Sequence, residues 1–134
     1  MPKQTTPPAR VYYHVTFQTR RRIPAIYDEV EAYFREVVPQ IAKQGEFVVL
    51  EVGVVPTHVH LLIEKAPWAD LVAIVHAIQD STSTSLLEHF PELALDLKAD
   101  RFWTDGYHYE RHTQKSLETV RRYIRDQKRH HGLA

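Results

Sequence analysis

The pattern of apolar and polar positions along the chain predicts seven elements of secondary structure. Residues 11–19 are dense in β-branched and aromatic side chains, which predicts a first strand. Between about residues 25 and 43, apolar side chains recur at three- and four-residue steps, the spacing of an amphipathic helix. We expect Gly45 to cap that helix and Pro39 to kink it, because proline removes a backbone donor.

The middle of the chain predicts a hairpin and a second helix. Residues 47–55 and 58–64 are two β-rich runs separated by two residues only, a spacing typical of a tight hairpin. Apolar residues at helical spacing then continue from Trp68 to about Phe90, interrupted by a polar stretch at residues 80–85. The continuity of the helix through that stretch is open.

The last third of the chain predicts one strand and one helix. Residues 101–109 form an aromatic-rich strand, interrupted at Asp105-Gly106 by a bulge or turn. A final helix follows, with Thr113 or Ser116 as its N-cap. The resulting order, β-α-β-β-α-β-α, predicts an α+β fold of the ferredoxin-like, split βαβ type: an antiparallel sheet with two helices on one face, plus a C-terminal helix.

Length and composition predict one compact domain. The chain has 134 residues and no cysteine, so disulfides and thiolate metal sites are excluded. We expect residues 1–10, which are polar and proline-rich, to be a flexible tail and residues 11–134 to be a single domain. No stretch approaches the roughly 20 apolar residues of a membrane span, so we expect no membrane partner and a cytoplasmic location.

Charge is unevenly distributed along the sequence. Seventeen basic and seventeen acidic residues give a formal net charge of zero, which by itself argues against a nucleic-acid partner. The two ends are basic, however, and the middle is acidic, so folding could create one basic surface for phosphates. A mosaic of solvated helix faces is the alternative. The candidates for phosphate contacts are Arg20, Arg21, Arg22, Arg121, Arg122, Arg125, Lys128 and Arg129.

His58 and His60 are the first candidate site. Alternate side chains of a strand share a face, so Val59 and its apolar neighbours would face the core while both imidazoles share the opposite face. Neutral imidazole nitrogens at that spacing can bind one cation. Two histidines that are simply tolerated on a solvent-facing strand are the alternative. Glu64 shares the face but lies farther along, and we expect it to be accessory at most.

Tyr123 and Gln127 are the second candidate site. They lie four residues apart, so on one helix they share a face next to the apolar stripe. A phenol among basic side chains is suited to hold or attack a phosphate. The alternative is an amphipathic edge residue beside a surface amide. The remaining histidines, among them His14 and His112, show no comparable pairing and are expected at the surface or the core edge.

In four segments, the chain resembles the single-tyrosine HUH transposases, in which H is histidine and U a hydrophobic residue. The segments are Tyr13-His-Val, Val55-Pro-Thr-His-Val-His-Leu-Leu-Ile-Glu64, Arg101-Phe-Trp-Thr-Asp-Gly-Tyr107 and Tyr123-Ile-Arg-Asp-Gln127, in the family's order and spacing. The resemblance covers nearly all of the chain after Arg10. One departure is Thr57, which stands where the family commonly has an acidic residue.

The resemblance implies a site and an activity. It implies His58, His60 and Gln127 as ligands of one divalent cation, Mg²⁺ or Mn²⁺, and Tyr123 as the nucleophile. It also implies cleavage and rejoining of single-stranded DNA at hairpin-forming insertion-sequence ends, through a 5′-phosphotyrosine. A homodimer, whose tyrosine helix can complete the partner's metal site, is implied as well.

Two other functions remain compatible with the sequence. A non-catalytic ferredoxin-like module could bind single-stranded RNA or DNA on its sheet. A metal phosphoesterase could use the same ligands with water as its nucleophile, and among imidazole-binding metals Zn²⁺ also fits such a site. The fold alone does not choose among these functions.

Overall fold

Four antiparallel strands and five helices form the described part of the chain in the computed structural model, residues 9–130 with side chains up to Lys128. The strands are β1 (Val11–Gln18), β2 (Val48–Val55), β3 (His58–Lys65) and β4 (His108–His112). The helices are α1 (Asp28–Gly45), α2 (Leu71–His89), α3 (Leu93–Leu97), α4 (Leu117–Arg125) and α5 (Gln127–His130). Two short 3₁₀ turns cover Arg20–Arg22 and Gln114–Ser116.

The strands form one sheet in the order β2-β3-β1-β4. β3 lies between β1 and β2 and is antiparallel to both, so β1, α1 and β2 form the expected split βαβ unit. β2 and β3 form the predicted hairpin, with Pro56 and Thr57 as its turn. The ferredoxin-like α+β architecture is therefore confirmed.

One face of the sheet carries the main hydrophobic core. Val59, Leu61 and Ile63 of β3 are fully buried on this face, as their alternation predicted. Phe34 of α1 and Ile78 of α2 belong to the same core cluster. The first two helices thus cover one face of the sheet, and β3 turns its other side chains away from them.

The opposite face is covered in part by the C-terminal helix. Val120 and Ile124 of α4 are buried in a second, smaller cluster with Tyr12 of β1 and Leu62 of β3. The histidines of β3 share the face of Leu62, so they lie beneath a helix and do not face open solvent. His60 is buried and His58 half-buried, so the alternative of two histidines on a solvent-facing strand does not apply.

α1 begins and ends later than the periodicity suggested. It spans Asp28–Gly45 and continues through Pro39, which lies on an exposed position of the helix. Gly45 is still helical, and the left-handed residue that ends the helix is Glu46, with φ 60°. The predicted glycine cap is thus displaced by one residue.

α2 is continuous through its polar stretch. Thr82 donates to the carbonyl oxygen of Ile78 at 2.6 Å, and its Oγ1 accepts the indole N–H of Trp103 at 2.8 Å. The Oγ atom of Ser83 accepts the backbone N–H of Phe102 at 2.9 Å. Because these hydroxyls have partners, the helix can bury them without interruption.

The last predicted strand is placed wrongly. β4 begins only at His108, and residues 101–107 are irregular apart from a single bridge between Trp103 and Thr19. Phe102 and Trp103 are buried in the core instead of pairing along β1. Gly106 has φ 84°, so the chain turns there before β4 starts.

The N-terminal tail prediction lies mostly outside the described residues. Arg10, its last residue, pairs with Glu64 of β3 through Nε and Oε2 at 3.0 Å. Glu64 therefore has an ion-pair partner, and it lies at the end of β3 that is distant from the histidines. Within residues 9–130, none of the helices has the length and apolar character that a membrane span requires.

Candidate functional site

The two histidines of β3 lie side by side on the face covered by α4. Their ring centroids are 5.0 Å apart. His60 lies opposite Thr16 of β1 in the antiparallel register, and His58 lies opposite Gln18. His60 is buried and His58 is half-buried. The strand thus brings the two imidazoles together as the alternation predicted.

The Nδ1 atom of each imidazole has a hydrogen-bonding neighbour. His58 Nδ1 lies 3.0 Å from the hydroxyl of Thr57. His60 Nδ1 lies 2.8 Å from Nε2 of His14 and 3.2 Å from the hydroxyl of Thr16. Thr57, which departs from the family pattern, therefore contacts a histidine of the HUH motif directly. These contacts orient both rings through the same nitrogen.

His14 connects the histidine pair to a second cluster on β1 and β4. Glu110 lies opposite His14 in the register, and His112 Nε2 lies 3.0 Å from the Glu110 carboxylate. Burial lowers the pKa of His14 below its ordinary value; His112 lowers it further, and Glu110 opposes the change. His14 is therefore neutral at neutral pH and retains one nitrogen lone pair.

α4 places Tyr123 against the histidines of the same chain. The Tyr123 ring centroid is 6.3 Å from that of His60 and 6.1 Å from that of His14. Val120 and Ile124, on either side of Tyr123 in sequence, anchor the helix to the sheet. A cavity of about 380 Å³, lined by Tyr123, His14, Glu110 and His112 among others, adjoins the phenol. The tyrosine is 44% exposed, so a strand of nucleic acid can reach it.

Gln127 is buried beside the same site. The helix ends at Arg125, and α5 begins at Gln127 after a break at Asp126, so the two predicted residues lie on two short helices instead of one. The Gln127 side-chain N–H donates to the Tyr123 carbonyl oxygen at 3.1 Å. Its Oε1 atom is buried and accepts no hydrogen bond within the described part of the chain.

Gly53 of β2 allows this close packing. A Cβ atom at this position would collide with the carbonyl oxygen of Ile124 and would lie 2.8 Å from Cγ of Gln127. The backbones of β2 and α4 therefore approach each other only because residue 53 lacks a side chain. This contact was not foreseen, since a glycine within an apolar strand carries no pattern of its own.

Several of the C-terminal basic residues are paired with acids of the same chain. Arg121 and Arg125 both contact the Glu51 carboxylate, at 3.1 and 2.9 Å. Lys128 Nζ lies 2.6 Å from Glu31 of α1. These pairs hold α4 and α5 to β2 and α1, and contact of the C-terminal cations with phosphates stays a prediction. Arg122 is exposed, and the side chain of Arg129 lies outside the described residues.

The N-terminal arginines form a turn next to the histidine hairpin. Arg21 and Arg22 are exposed and have φ values of 57° and 56°, in the left-handed region. The buried residue Thr19 anchors the turn: its N–H donates to the Thr57 carbonyl oxygen at 2.9 Å, and its hydroxyl donates to that of Ile23 at 2.7 Å. The residue before the arginine turn is therefore hydrogen-bonded to Thr57, the residue before His58.

Comparison with known proteins agrees with this geometry. A family model described as IS200-like transposase matches residues 9–127. The chain belongs to this family. It is the single-tyrosine HUH group that the motifs resembled, so the family prediction is confirmed.

This IS200-like transposase is similar to curated proteins and to solved structures. It is 24% identical over 115 residues to the ISDra2 transposase TnpA of Deinococcus radiodurans, covering 86% of this chain and 82% of that protein. A transposase of insertion sequence IS200 from Salmonella typhimurium is also 24% identical, over 86% of this chain and 75% of its own length.

Two solved structures share the fold. A putative transposase from Deinococcus radiodurans aligns with TM-score 0.75 at 22% identity, over 92% of this chain and 95% of that one. A REP-associated tyrosine transposase bound to a REP hairpin aligns with TM-score 0.71 at 13% identity, over 100% of this chain and 76% of that one. At these identities the likeness confirms the fold.

The donor atoms of the site fit a divalent cation. Gln127 Oε1 is a buried acceptor without a hydrogen-bond donor in the described chain, and Cγ of the same side chain lies over Gly53, which pairs with His60. His14, Glu110 and His112 form an adjoining group whose ligand atoms all lie within 4.8 Å of one another. Imidazole, amide and carboxylate groups are ligands of Mn²⁺, Mg²⁺ and Zn²⁺. The transposase thus offers nitrogen and oxygen donors on one face of its sheet.

Sequence reasoning missed His14, Glu110 and His112. His14 was expected at the surface or core edge, whereas it contacts His60 directly. The usable signal was alternation: His14 and Thr16 share one face of β1, and Glu110 and His112 share one face of β4. Finding their partners required the register between strands that are more than 40 residues apart.

Proposed function

We propose that this chain is a DNA strand transferase that cuts and rejoins single-stranded DNA at insertion-sequence ends. The observation that carries the proposal is the position of Tyr123 against His60 of the same chain, with Gln127 packed over Gly53, the residue that pairs with His60. The bound hairpin of the REP-associated transposase supports hairpin-forming DNA ends as the partner. Exposed Arg21, Arg22 and Arg122 are our candidates for its phosphates.

His58, His60 and Gln127 are the residues that would hold a divalent cation. We assign the Nε2 atom of each imidazole as its ligand atom, because both Nδ1 atoms are engaged by neighbours, and we assign Oε1 of Gln127 as the third. A bound Mg²⁺ or Mn²⁺ ion neutralises charge on the phosphate oxygens and orients the strand. The half-buried position of the pair keeps the ligands oriented before DNA arrives.

Tyr123 is the proposed nucleophile. Its phenol oxygen attacks the scissile phosphorus, the bond from phosphorus to the 3′ oxygen breaks, and a 5′-phosphotyrosine and a free 3′-hydroxyl result. The proton lost by the phenol balances the proton gained by the 3′ oxygen. Because one phosphodiester is exchanged for another, a second 3′-hydroxyl can reverse the step and join new ends without ATP.

A denaturing gel tests the proposal. Wild-type protein, Mn²⁺ and a labelled hairpin-bearing single strand should give a covalent adduct that disappears in Tyr123→Phe. Tyr109→Phe is the matched control, since Tyr109 is exposed on the other face of the sheet. Cleavage without an adduct would indicate a phosphoesterase that uses water. Binding that survives a chelator, with no cleavage, would indicate a non-catalytic module.

The arrangement within one chain also bears on assembly. Tyr123 lies against His60 of its own chain, and Gln127 packs over Gly53, which pairs with His60 in the sheet. This geometry supports a site formed in cis. The homodimer with a site shared between subunits stays a prediction. Mixing a Tyr123→Phe chain with a His58→Ala chain tests it, because an adduct could then form only across two subunits.

A further inference from the structure

We infer that His14 is a positioning residue that fixes the ring orientation and tautomer of His60 for cation binding. The inference rests on the proposed role of His60 as a ligand. Its basis is the 2.8 Å hydrogen bond between His14 Nε2 and His60 Nδ1, which joins β1 to β3 on the face of the site. His14 lies in the Tyr13-His-Val segment, but the spacing of the histidines in the sequence does not indicate that it pairs with His60.

The chemistry of a neutral imidazole determines which way this hydrogen bond must run. A neutral ring has one N–H and one lone pair, and only the nitrogen with the lone pair can bind a cation. If Nε2 of His60 is the ligand atom, its proton lies on Nδ1 and must be donated. Of two neighbours of His60 Nδ1 on β1, His14 Nε2 at 2.8 Å is nearer than Thr16 Oγ1 at 3.2 Å.

Packing makes His14 suited to this task. Its ring is tilted 35° against that of His60 with centroids 5.1 Å apart, and it also contacts the rings of Tyr123 and His112. A ring held on several sides keeps its acceptor atom fixed. His60, in turn, is buried, so water cannot readily replace a lost acceptor. Thr57 has the corresponding position next to Nδ1 of His58.

Two substitutions separate positioning from simple space filling. His14→Leu removes the acceptor, whereas His14→Gln carries an amide oxygen near the position of Nε2. We expect His14→Leu to weaken Mn²⁺ binding by roughly 10- to 100-fold and His14→Gln to restore most of that loss. His76→Leu is the matched control, because His76 is exposed on α2, which packs against the other face of the sheet.

The measurements are Mn²⁺ binding by electron paramagnetic resonance and adduct formation as a function of Mn²⁺ concentration. The half-saturating Mn²⁺ concentration should rise in His14→Leu, while the rate at saturating Mn²⁺ changes far less. Equal Mn²⁺ affinities of folded His14→Leu and wild type would overturn the inference. His58→Ala distinguishes failure of this inference from failure of the proposed function. If His58→Ala also binds Mn²⁺ normally, the proposed ligand set itself is wrong.

A second measurement needs no variant. In wild-type protein with ¹⁵N-labelled histidine and Mg²⁺, the ring nitrogen shifts report which nitrogen bears the proton. We expect the His60 proton on Nδ1 and a lone pair on Nε2 of His14. A proton on Nε2 of His60 in the Mg²⁺-bound protein would refute the assignment, whatever the stability of the variants.

Discussion

The glycine of β2 is the position at which a single methyl group should disturb the site most. In Gly53→Ala, the new Cβ atom would collide with the carbonyl oxygen of Ile124 and lie 2.8 Å from Cγ of Gln127 and 3.0 Å from Cγ2 of Ile124. One of these atoms belongs to the backbone, and the other two belong to the buried side chains of Ile124 and Gln127. The strain cannot be relieved by turning an exposed side chain, so α4 and α5 must move away from β2.

The cost of this movement can be bounded. Inserting a methyl group into well-packed structure costs about 1–3 kcal/mol. If the strain is relieved by moving Gln127 out of place, the same free energy opposes cation binding, which corresponds to a loss of roughly 5- to 150-fold in affinity. The main core lies on the other face of the sheet and should remain folded, because Gly53 contacts only the smaller cluster.

Mn²⁺ titration and thermal unfolding, done in parallel, check this prediction. Gly45→Ala is a matched control: its Cβ atom would lie 2.6 Å from the Phe47 ring, a comparable clash at the end of α1 and away from the site. We expect both variants to lose stability but only Gly53→Ala to lose Mn²⁺ affinity and adduct. Normal Mn²⁺ affinity in a destabilised Gly53→Ala would show that Gln127 is not held by this contact.

Two further substitutions test the basic turn and the docking of α5. Arg21→Gly should raise the free energy of unfolding by up to about 1 kcal/mol, because glycine adopts positive φ without strain. The same substitution should weaken the binding of single-stranded DNA and make that binding less dependent on salt. Unchanged binding in an anisotropy titration would exclude the turn from the interface. Burial alone would raise the pKa of Glu31, but hydrogen bonds from Lys128 and Arg35 lower it below 4.5. The folded state therefore binds the Glu31 proton less readily than the unfolded state does. The ionised carboxylate stabilises the fold above pH 4.5, and this stabilisation is lost as the pH falls through the lowered pKa. Glu31→Gln should accordingly melt below wild type at pH 7, with the gap closing as the pH falls through the lowered pKa of Glu31; a gap that does not change with pH would contradict the assignment.

The periodicity of the sequence was sufficient for the first three strands and for the two faces of the sheet. Val59, Leu61 and Ile63 alternate with His58, His60 and Leu62, and this alternation alone predicted which side chains enter the main core. The hairpin at Pro56-Thr57 followed from spacing in the same way. Such features are local, so one segment of sequence contains the information that determines them.

Features that depend on distant partners were predicted poorly. The aromatic residues Phe102 and Trp103 suggested a strand, but α2 offers them buried hydroxyl partners, so they enter the core instead. Likewise, nothing local in the sequence indicates that Arg121 pairs with Glu51 or Lys128 with Glu31, because these acids come within reach only once the chain folds. In each case the competing partner lies 19 or more residues away in sequence, and its distance is set only by the fold.

The buried residue Thr19 limits how far this site can be transplanted. It joins the arginine turn, the turn that precedes His58 and the bridge to Trp103, three segments that are remote from one another in sequence. A protein engineer who grafted the two histidines, the tyrosine and the glutamine onto another ferredoxin-like sheet would copy the side chains but not this junction. The graft would lack the residue that joins the arginine turn to the turn before His58, so a working scaffold must supply an equivalent of Thr19 as well.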